Sequence, residues 1–326
     1  MKRRDYFGYL LALCGTTAPS TWAQNKSTWP EKPIRWILSQ PPGSGPDNIA
    51  RLLADRLSKP LGQAVVIENK PGGQNIIGAQ AAARSNPDGH GFYFATTAAL
   101  VTNKYLFKSM PYDPEKDFIP VAFIARSPFA VLVKADSPIQ SMQDLMARSK
   151  AEPGKWSLAN EGARTFGGII ARFINARTQM QSNLVGYASV GAAVQDVIGG
   201  HANAVVADMA STAQLVRQGR LRYLAVTSAQ RVAGWEQVIA LSELMPGFDM
   251  VGWFALMAPT GTPNEVLQRM NSEVNALLVD PDVVQRMVAM GPIPDALGQP
   301  DQTGAFLRRE HDRWAGVAKE IGLLPE

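Results

Sequence analysis

Ile34-Arg35-Trp36-Ile37-Leu38-Ser39-Gln40-Pro41-Pro42-Gly43-Ser44-Gly45-Pro46-Asp47 decides how this chain is read. Ile34–Leu38 is a short apolar run of strand length. From Asp47 to Lys59 the period changes, and Ile49, Leu52, Leu53 and Leu57 recur at helical spacing. Between the two lies a loop stiffened by prolines and opened by glycines. In open α/β sheets ligands bind beyond the carboxyl ends of the strands. The free N–H groups and positive dipole end of the following helix suit an anion. No Gly-Lys-Ser/Thr follows, so the loop is not a phosphate loop. Asn48 stands where a dinucleotide fingerprint needs its third glycine. A plain strand-to-helix turn is the other reading of the glycines. Asp47 likewise has two roles open, helix N-cap or acceptor for a donor group on a ligand.

Outward from this loop, short apolar runs alternate with helical patterns. Ala64–Glu68 and Gly91–Thr96 read as strands, with a helix over Ile76–Arg84 between them. Val121–Ile124 and Ala130–Lys134 follow as two strands. Ser141 opens a helix, with Asp144 placed for an approximate capping box. Strands at Trp156–Ala159, Leu184–Tyr187, Ala204–Ala207 and Leu224–Thr227 are interleaved with helices at Phe166–Asn175 and Val190–Ile198. Strands alternating with helices indicate βαβ units and parallel pairing. After the apolar run Met250–Met257 the pattern is helical only, with starts at Pro263, Pro281 and Asp301.

The first residues read as an export signal. Lys2, Arg3 and Arg4 precede the apolar stretch Tyr6–Leu13, and Thr21-Trp22-Ala23 offers small residues at −3 and −1. That order predicts a signal peptide over residues 1–23, cleaved near Ala23, using the Sec or the twin-arginine route. The single cysteine, Cys14, lies inside it, preceded by Leu13 rather than by the small residue a lipoprotein site requires. Residues 1–23 carry three basic residues and one acid, so the formal charge of the remainder falls from +4 to +2. No Lys/Arg cluster suited to nucleic acid remains, and no later apolar run reaches membrane-spanning length.

Catalytic sets are not evident. His90, His201 and His311 have no metal-ligand spacing, and there is no Gly-x-Ser-x-Gly elbow. The sequence calls for no enzyme activity, cofactor or metal. Two further strand ends offer polar groups instead. Thr96-Thr97-Ala98 follows the third strand. Asn160-Glu161-Gly162-Ala163-Arg164-Thr165-Phe166 joins a strand to a helix in the second half. Arg164 there is either a bidentate anion contact or a surface arginine.

The ordered motifs carry more than any one of them. Pro30-Glu31-Lys32-Pro33-Ile34-Arg35 leads into the loop 41–47, then Val66-Ile67-Glu68-Asn69-Lys70-Pro71-Gly72-Gly73 and Pro87-Asp88-Gly89. Met110-Pro111-Tyr112-Asp113-Pro114, Leu224-Ala225-Val226-Thr227-Ser228 and Trp253–Pro263 follow. This series resembles the solute-binding proteins of tripartite tricarboxylate transporters, also called the Bug family. The resemblance implies an α/β fold: a two-lobed, type II-like periplasmic binding protein that closes on its ligand. Each lobe would be a mixed sheet flanked by helices, with a helical C-terminal tail. It implies lobe 1 from residues 24–127 plus 253–326 and lobe 2 from 128–252. It also implies a small organic anion (a carboxylate, an amino acid or a related small molecule) delivered by a monomeric receptor to membrane permease subunits. A receptor presenting its bound state to a membrane sensor kinase would use the same clamp. Mapped residue by residue, the ligand set is Gln40, Pro42, Gly43, Ser44, Gly45 and Asp47 in the first loop, and Thr96, Thr97 and Ala98 in the second. Lobe 2 adds Arg164, Thr165, Phe166 and Asp208. Three departures stand out: Gln40 where the family has an aromatic residue, Pro46 in place of a hydroxyl residue, and a looser match over 163–167. The glycine-loop amides are expected to hold the anion, directly or through water.

Overall fold

The computed structural model describes residues 29–325. The expected signal peptide and Cys14 lie outside that range. Strand β1 (Ile34–Leu38) runs parallel to β2 (Val65–Asn69) and to β3 (Gly91–Thr96) on its other side. Helix α1 (Gly45–Leu61) connects β1 to β2. Ile49, Leu53, Leu57 and Leu61 bury one face of it, and Gly62, at φ 69°, ends it. Helix α2 (Ile76–Ala83) connects β2 to β3, and α3 (Thr97–Leu100) is a single turn after β3.

The next strand departs from the sequence reading. The two strands expected at Val121–Ile124 and Ala130–Lys134 are one, β4, over Phe118–Lys134. Arg126, Ser127 and Pro128 interrupt the apolar pattern without interrupting the backbone. Residues Phe118–Pro128 of β4 pair antiparallel with a later strand, Val251–Pro259. From Phe129 onward β4 pairs antiparallel with Ala204–Asp208 on one side and Leu221–Val226 on the other. One strand thus serves two sheets, and its partners change between Pro128 and Phe129.

The second sheet grows from that end of β4. Helix α4 (Met142–Ala151) follows, capped by the Ser141 hydroxyl, which accepts from the Asp144 amide at 3.1 Å. Strand β5 (Ser157–Asn160), helix α5 (Phe166–Thr178), strand β6 (Asn183–Gly186), helix α6 (Val190–Gly199) and strand β7 (Ala204–Asp208) alternate as expected. β5 is parallel to both β6 and β7. Helix α7 (Met209–Arg217), which the sequence reading lacked, leads to β8 (Leu221–Val226). The chain then returns as β9 (Val251–Pro259), which lies between β3 and β4 in the strand order β2-β1-β3-β9-β4-β7-β5-β6. Pairing is parallel within β2-β1-β3 and within β7-β5-β6, and antiparallel along the long strands.

Helices α8 (Asn264–Leu278), α9 (Pro281–Met290) and α10 (Pro300–Glu320) form the tail. It is not helical throughout: β10 (Ile293–Pro294) pairs antiparallel with Arg126 and Ala125 of β4. The first sheet buries both faces. Trp36, Phe94 and Phe254 pack on the α1/α8 side, and Phe123, Trp253 and Phe306 on the α10 side. The Trp253 Nε1–H donates to Glu310 at 2.8 Å, and Arg313 holds the same carboxylate with two nitrogens. Burial of these aromatic side chains is the main stabilising term on this side.

Candidate functional site

A cavity of about 470 Å³ opens where the strand ends of the two sheets meet. The ends of β1, β3, β5 and β7 all point into it, which is where an α/β sheet presents loop amides, hydroxyls and helix N-termini. Ser127 and Phe129, from the middle of β4, and Trp253, from β9, form its floor.

Of the residues singled out from sequence, Gln40, Ser44, Thr96, Thr97 and Ala98 line the cavity from the first sheet. Thr165, Phe166 and Asp208 line it from the second. Pro42, Gly43, Gly45, Asp47 and Arg164 are not on its wall. Arg164 is half-buried, its guanidinium 5.5 Å from the ring centre of Phe107.

The glycine loop is built differently from the anion cradle expected of it. The Gly43 amide donates to Asp47 Oδ2 at 2.9 Å, the Ser44 amide to the Pro41 carbonyl at 3.3 Å, and the Gly45 amide to Ser211 Oγ at 2.8 Å. All three N–H groups are engaged within the protein. The N-cap of α1 is Ser44, not Asp47. Asp47 is buried in the first turn and accepts from Gly43, from Asn69 Nδ2 and from Arg51 Nε, each at 2.9 Å. Burial opposes its ionisation, but the Arg51, Gly43 and Asn69 hydrogen bonds outweigh that and hold its carboxyl below the usual range. Asp47 therefore clasps the loop from behind.

The polar groups on the cavity wall are mostly neutral. Gln40 Nε2 donates to Asn75 Oδ1 at 2.8 Å and to Thr96 Oγ1 at 3.2 Å, while its buried Oε1 has no partner in the protein. Thr97 Oγ1 accepts from the Trp253 amide at 2.9 Å. The Ser127 hydroxyl is 1 % exposed and has no hydrogen-bond partner in the protein. Thr165 caps α5, accepting from the Gly168 amide and donating to the Gly162 carbonyl at 2.8 Å.

Two acids complete the wall. Asp208 caps α7 and accepts from the Ser211 amide at 2.9 Å and the Ser211 hydroxyl at 2.7 Å. Burial raises its pKa. Glu161, just past the end of β5, also lines the cavity, although a lone acid in a loop carries no sequence signal. Burial, and then the nearby Asp208 charge, push its carboxyl up to about 7. Among the described residues that line the cavity there is no Lys, Arg or His.

Two sheets sharing long crossing strands, with a cavity between their strand ends, define a two-lobed solute-binding protein of the periplasmic-binding-protein class. Its sequence matches the family described as tripartite tricarboxylate transporter family receptor over residues 49–323, and the chain belongs to that family. A UPF0065 protein of Bordetella bronchiseptica is 36 % identical over 316 residues, covering 97 % of this chain and 92 % of the relative. Among solved structures, an R. palustris protein with adipate is 29 % identical, with a TM-score of 0.87, over 91 % of this chain and 100 % of its own. The periplasmic binding protein BugD is 26 % identical, with a TM-score of 0.86 and the same coverage. These likenesses agree with the mixed α/β, two-lobed fold and with the Bug-family resemblance read from the motifs. Proteins of this family are binding receptors, not enzymes.

Proposed function

We propose that this protein is an exported periplasmic receptor that captures one small organic acid in the 470 Å³ cavity and delivers it to the membrane subunits of a tripartite transporter. The observation that carries the reading is the cavity itself, formed by strand ends of both sheets, with a few hydroxyl and amide groups set in a mainly apolar wall. Its volume suits a ligand the size of a short carboxylic acid, and a relative of the same fold was solved with adipate. In this reading residues 24–127 and 253–326 form lobe 1 and 128–252 form lobe 2. The lobes close on the ligand as a single chain.

The carboxylate is held by hydroxyls in place of the glycine-loop amides. Ser127 has an unused hydrogen, and Thr96 Oγ1 is already an acceptor for Gln40 and so directs its own hydrogen elsewhere. Ser44, Thr97, Ala98, Thr165, Phe166 and Asp208 complete the contact surface. Pro42, Gly43, Gly45 and Asp47 shape the loop, and Arg164 stands outside the pocket.

Native mass spectrometry of freshly purified protein, followed by a thermal-shift screen of carboxylic acids and amino acids, tests this. One ligand per chain should raise the melting temperature by mass action. A complete screen that leaves the melting temperature unchanged would reject the receptor reading.

A further inference from the structure

We propose that the ligand carries a cationic nitrogen besides its carboxylate, and that Glu161 is the residue that selects such a zwitterion over a dicarboxylate. This deepens the receptor reading above and rests on it.

The cavity is chemically lopsided. On its floor Ser127 offers a hydroxyl that is 1 % exposed and unpartnered. A group so enclosed is costly to leave unpaired, and a ligand oxygen is the partner that fits. On the second-sheet wall two acids stand beside the neutral hydroxyls of Thr165, Tyr187 and Ser189. Glu161 accepts a long 3.4 Å contact from the Gly167 amide and lies within reach of the Thr165 hydroxyl, whose well-formed bond goes to Gly162 at 2.8 Å. A carboxylate has room for about four donors, so most of the capacity of Glu161 is open. Asp208, on the same wall, is 4 % exposed and already held by Ser211.

A second carboxylate placed at this wall would face both acids in a poorly solvated space. No lining Lys, Arg or His offsets them. An ammonium there would instead supply the missing donors and a compensating charge. Phe129 and Phe166 also line this part of the cavity, and aromatic rings tolerate a cation well.

Other charged or titratable groups around Glu161 are committed elsewhere. Tyr187 donates to Asp196 at 2.7 Å, Asp47 is turned to Arg51, and Arg164 lies over Phe107. Because burial and Asp208 bring Glu161 to about 7, a bound cation draws it into the charged form. Affinity for a zwitterion therefore falls as the pH drops below 7. A diacid held by a protonated Glu161 would show the opposite slope.

Calorimetry with the whole mature protein at pH 8 and pH 6 decides between them. The probes are matched pairs in which one carboxylate is replaced by an ammonium: succinate with 3-aminopropanoate, glutarate with 4-aminobutanoate, adipate with 5-aminopentanoate. In the best-fitting pair the amino acid should bind at least about tenfold more tightly at pH 8 and weaken several-fold at pH 6. Glu161→Gln should remove both the preference and the pH dependence while melting no lower than wild type. Ser127→Ala should weaken both members of a pair alike. Diacids that bind more tightly, with affinity rising at pH 6, would overturn the assignment of Glu161 and leave the receptor reading intact. Failure of every carboxylate and amino acid to bind would overturn the receptor reading itself.

Discussion

The Gly45 amide donates to the Ser211 hydroxyl at 2.8 Å, across 166 residues of sequence. Ser211 in turn donates to Asp208, so a backbone group at the start of α1 is tied to the cap of α7. Asn48 of α1 adds a bond to the Ala210 carbonyl at 3.2 Å. This is the rim of the cavity, and the two sheets touch there through helix N-termini.

Gly45→Ala should disturb that joint. A Cβ at Gly45 would lie far inside van der Waals contact with Asp208 Oδ1. The variant should fold, melt a few degrees lower and bind ligand more weakly, with a larger radius of gyration in the ligand-bound state by small-angle scattering. Gly43→Ala is the contrast. Its φ is +79°, but nothing lies within 4 Å of the added carbon. It should cost about 1–2 kcal/mol of stability from left-handed strain and leave affinity within about twofold.

Asp47→Asn should destabilise the protein without touching the ligand. The amide cannot accept from Gly43, Asn69 and Arg51 at once, and the loss should be about 1–3 kcal/mol at pH 7. The folded pKa is lowered, so this stability is present above the ordinary aspartate value of 3.8 and is lost as pH falls through the folded value. Denaturant melts at pH 7 and pH 3 should show the gap between variant and wild type closing in acid.

Glu161→Gln should have the opposite pH signature in the ligand-free protein. A carboxyl raised to about 7 holds a proton that the unfolded chain has already released, so wild-type stability falls as pH rises toward 7. Glutamine removes this penalty. The variant should be more stable by about 1–3 kcal/mol at pH 8 and no different near pH 4, as read by thermal melts.

Arg164→Ala should change affinity by less than about twofold. Its guanidinium lies over the Phe107 ring and is not on the cavity wall. A large loss of binding by calorimetry would mean that a side-chain charge holds the ligand after all.

Strand positions were legible wherever an apolar run was unbroken: β1 and β3 match the sequence reading residue for residue. β4 was read as two strands because Arg126-Ser127-Pro128 looks like a break, although Ser127 is buried and Pro128 keeps its place opposite Val251. Helix α7 leaves no apolar period in the sequence because its buried face is Met209, Ala210, Thr212 and Ala213, mostly small or polar. In the site, the hydroxyls at Thr96 and Thr97 followed from their position after a strand. Glu161 did not, because one acid in a loop has no pattern until Asp208 is brought beside it by the fold. Nor could sequence show that the glycine-loop amides would find partners as distant as Ser211.

The strand order has a consequence for how the chain comes to be folded. β9 sits between β3 and β4 in the first sheet, yet it is made only after all of β5 to β8. Until residues 251–259 emerge, β3 and the first half of β4 have no shared neighbour, and each presents an open hydrogen-bonding edge. Closing that gap brings together segments more than a hundred residues apart, a slow, entropy-opposed step. The second sheet needs only the end of β4 and the segment that follows it. The sheet begun first at the N-terminus is therefore completed last, and a newly made chain remains incomplete until most of its length exists.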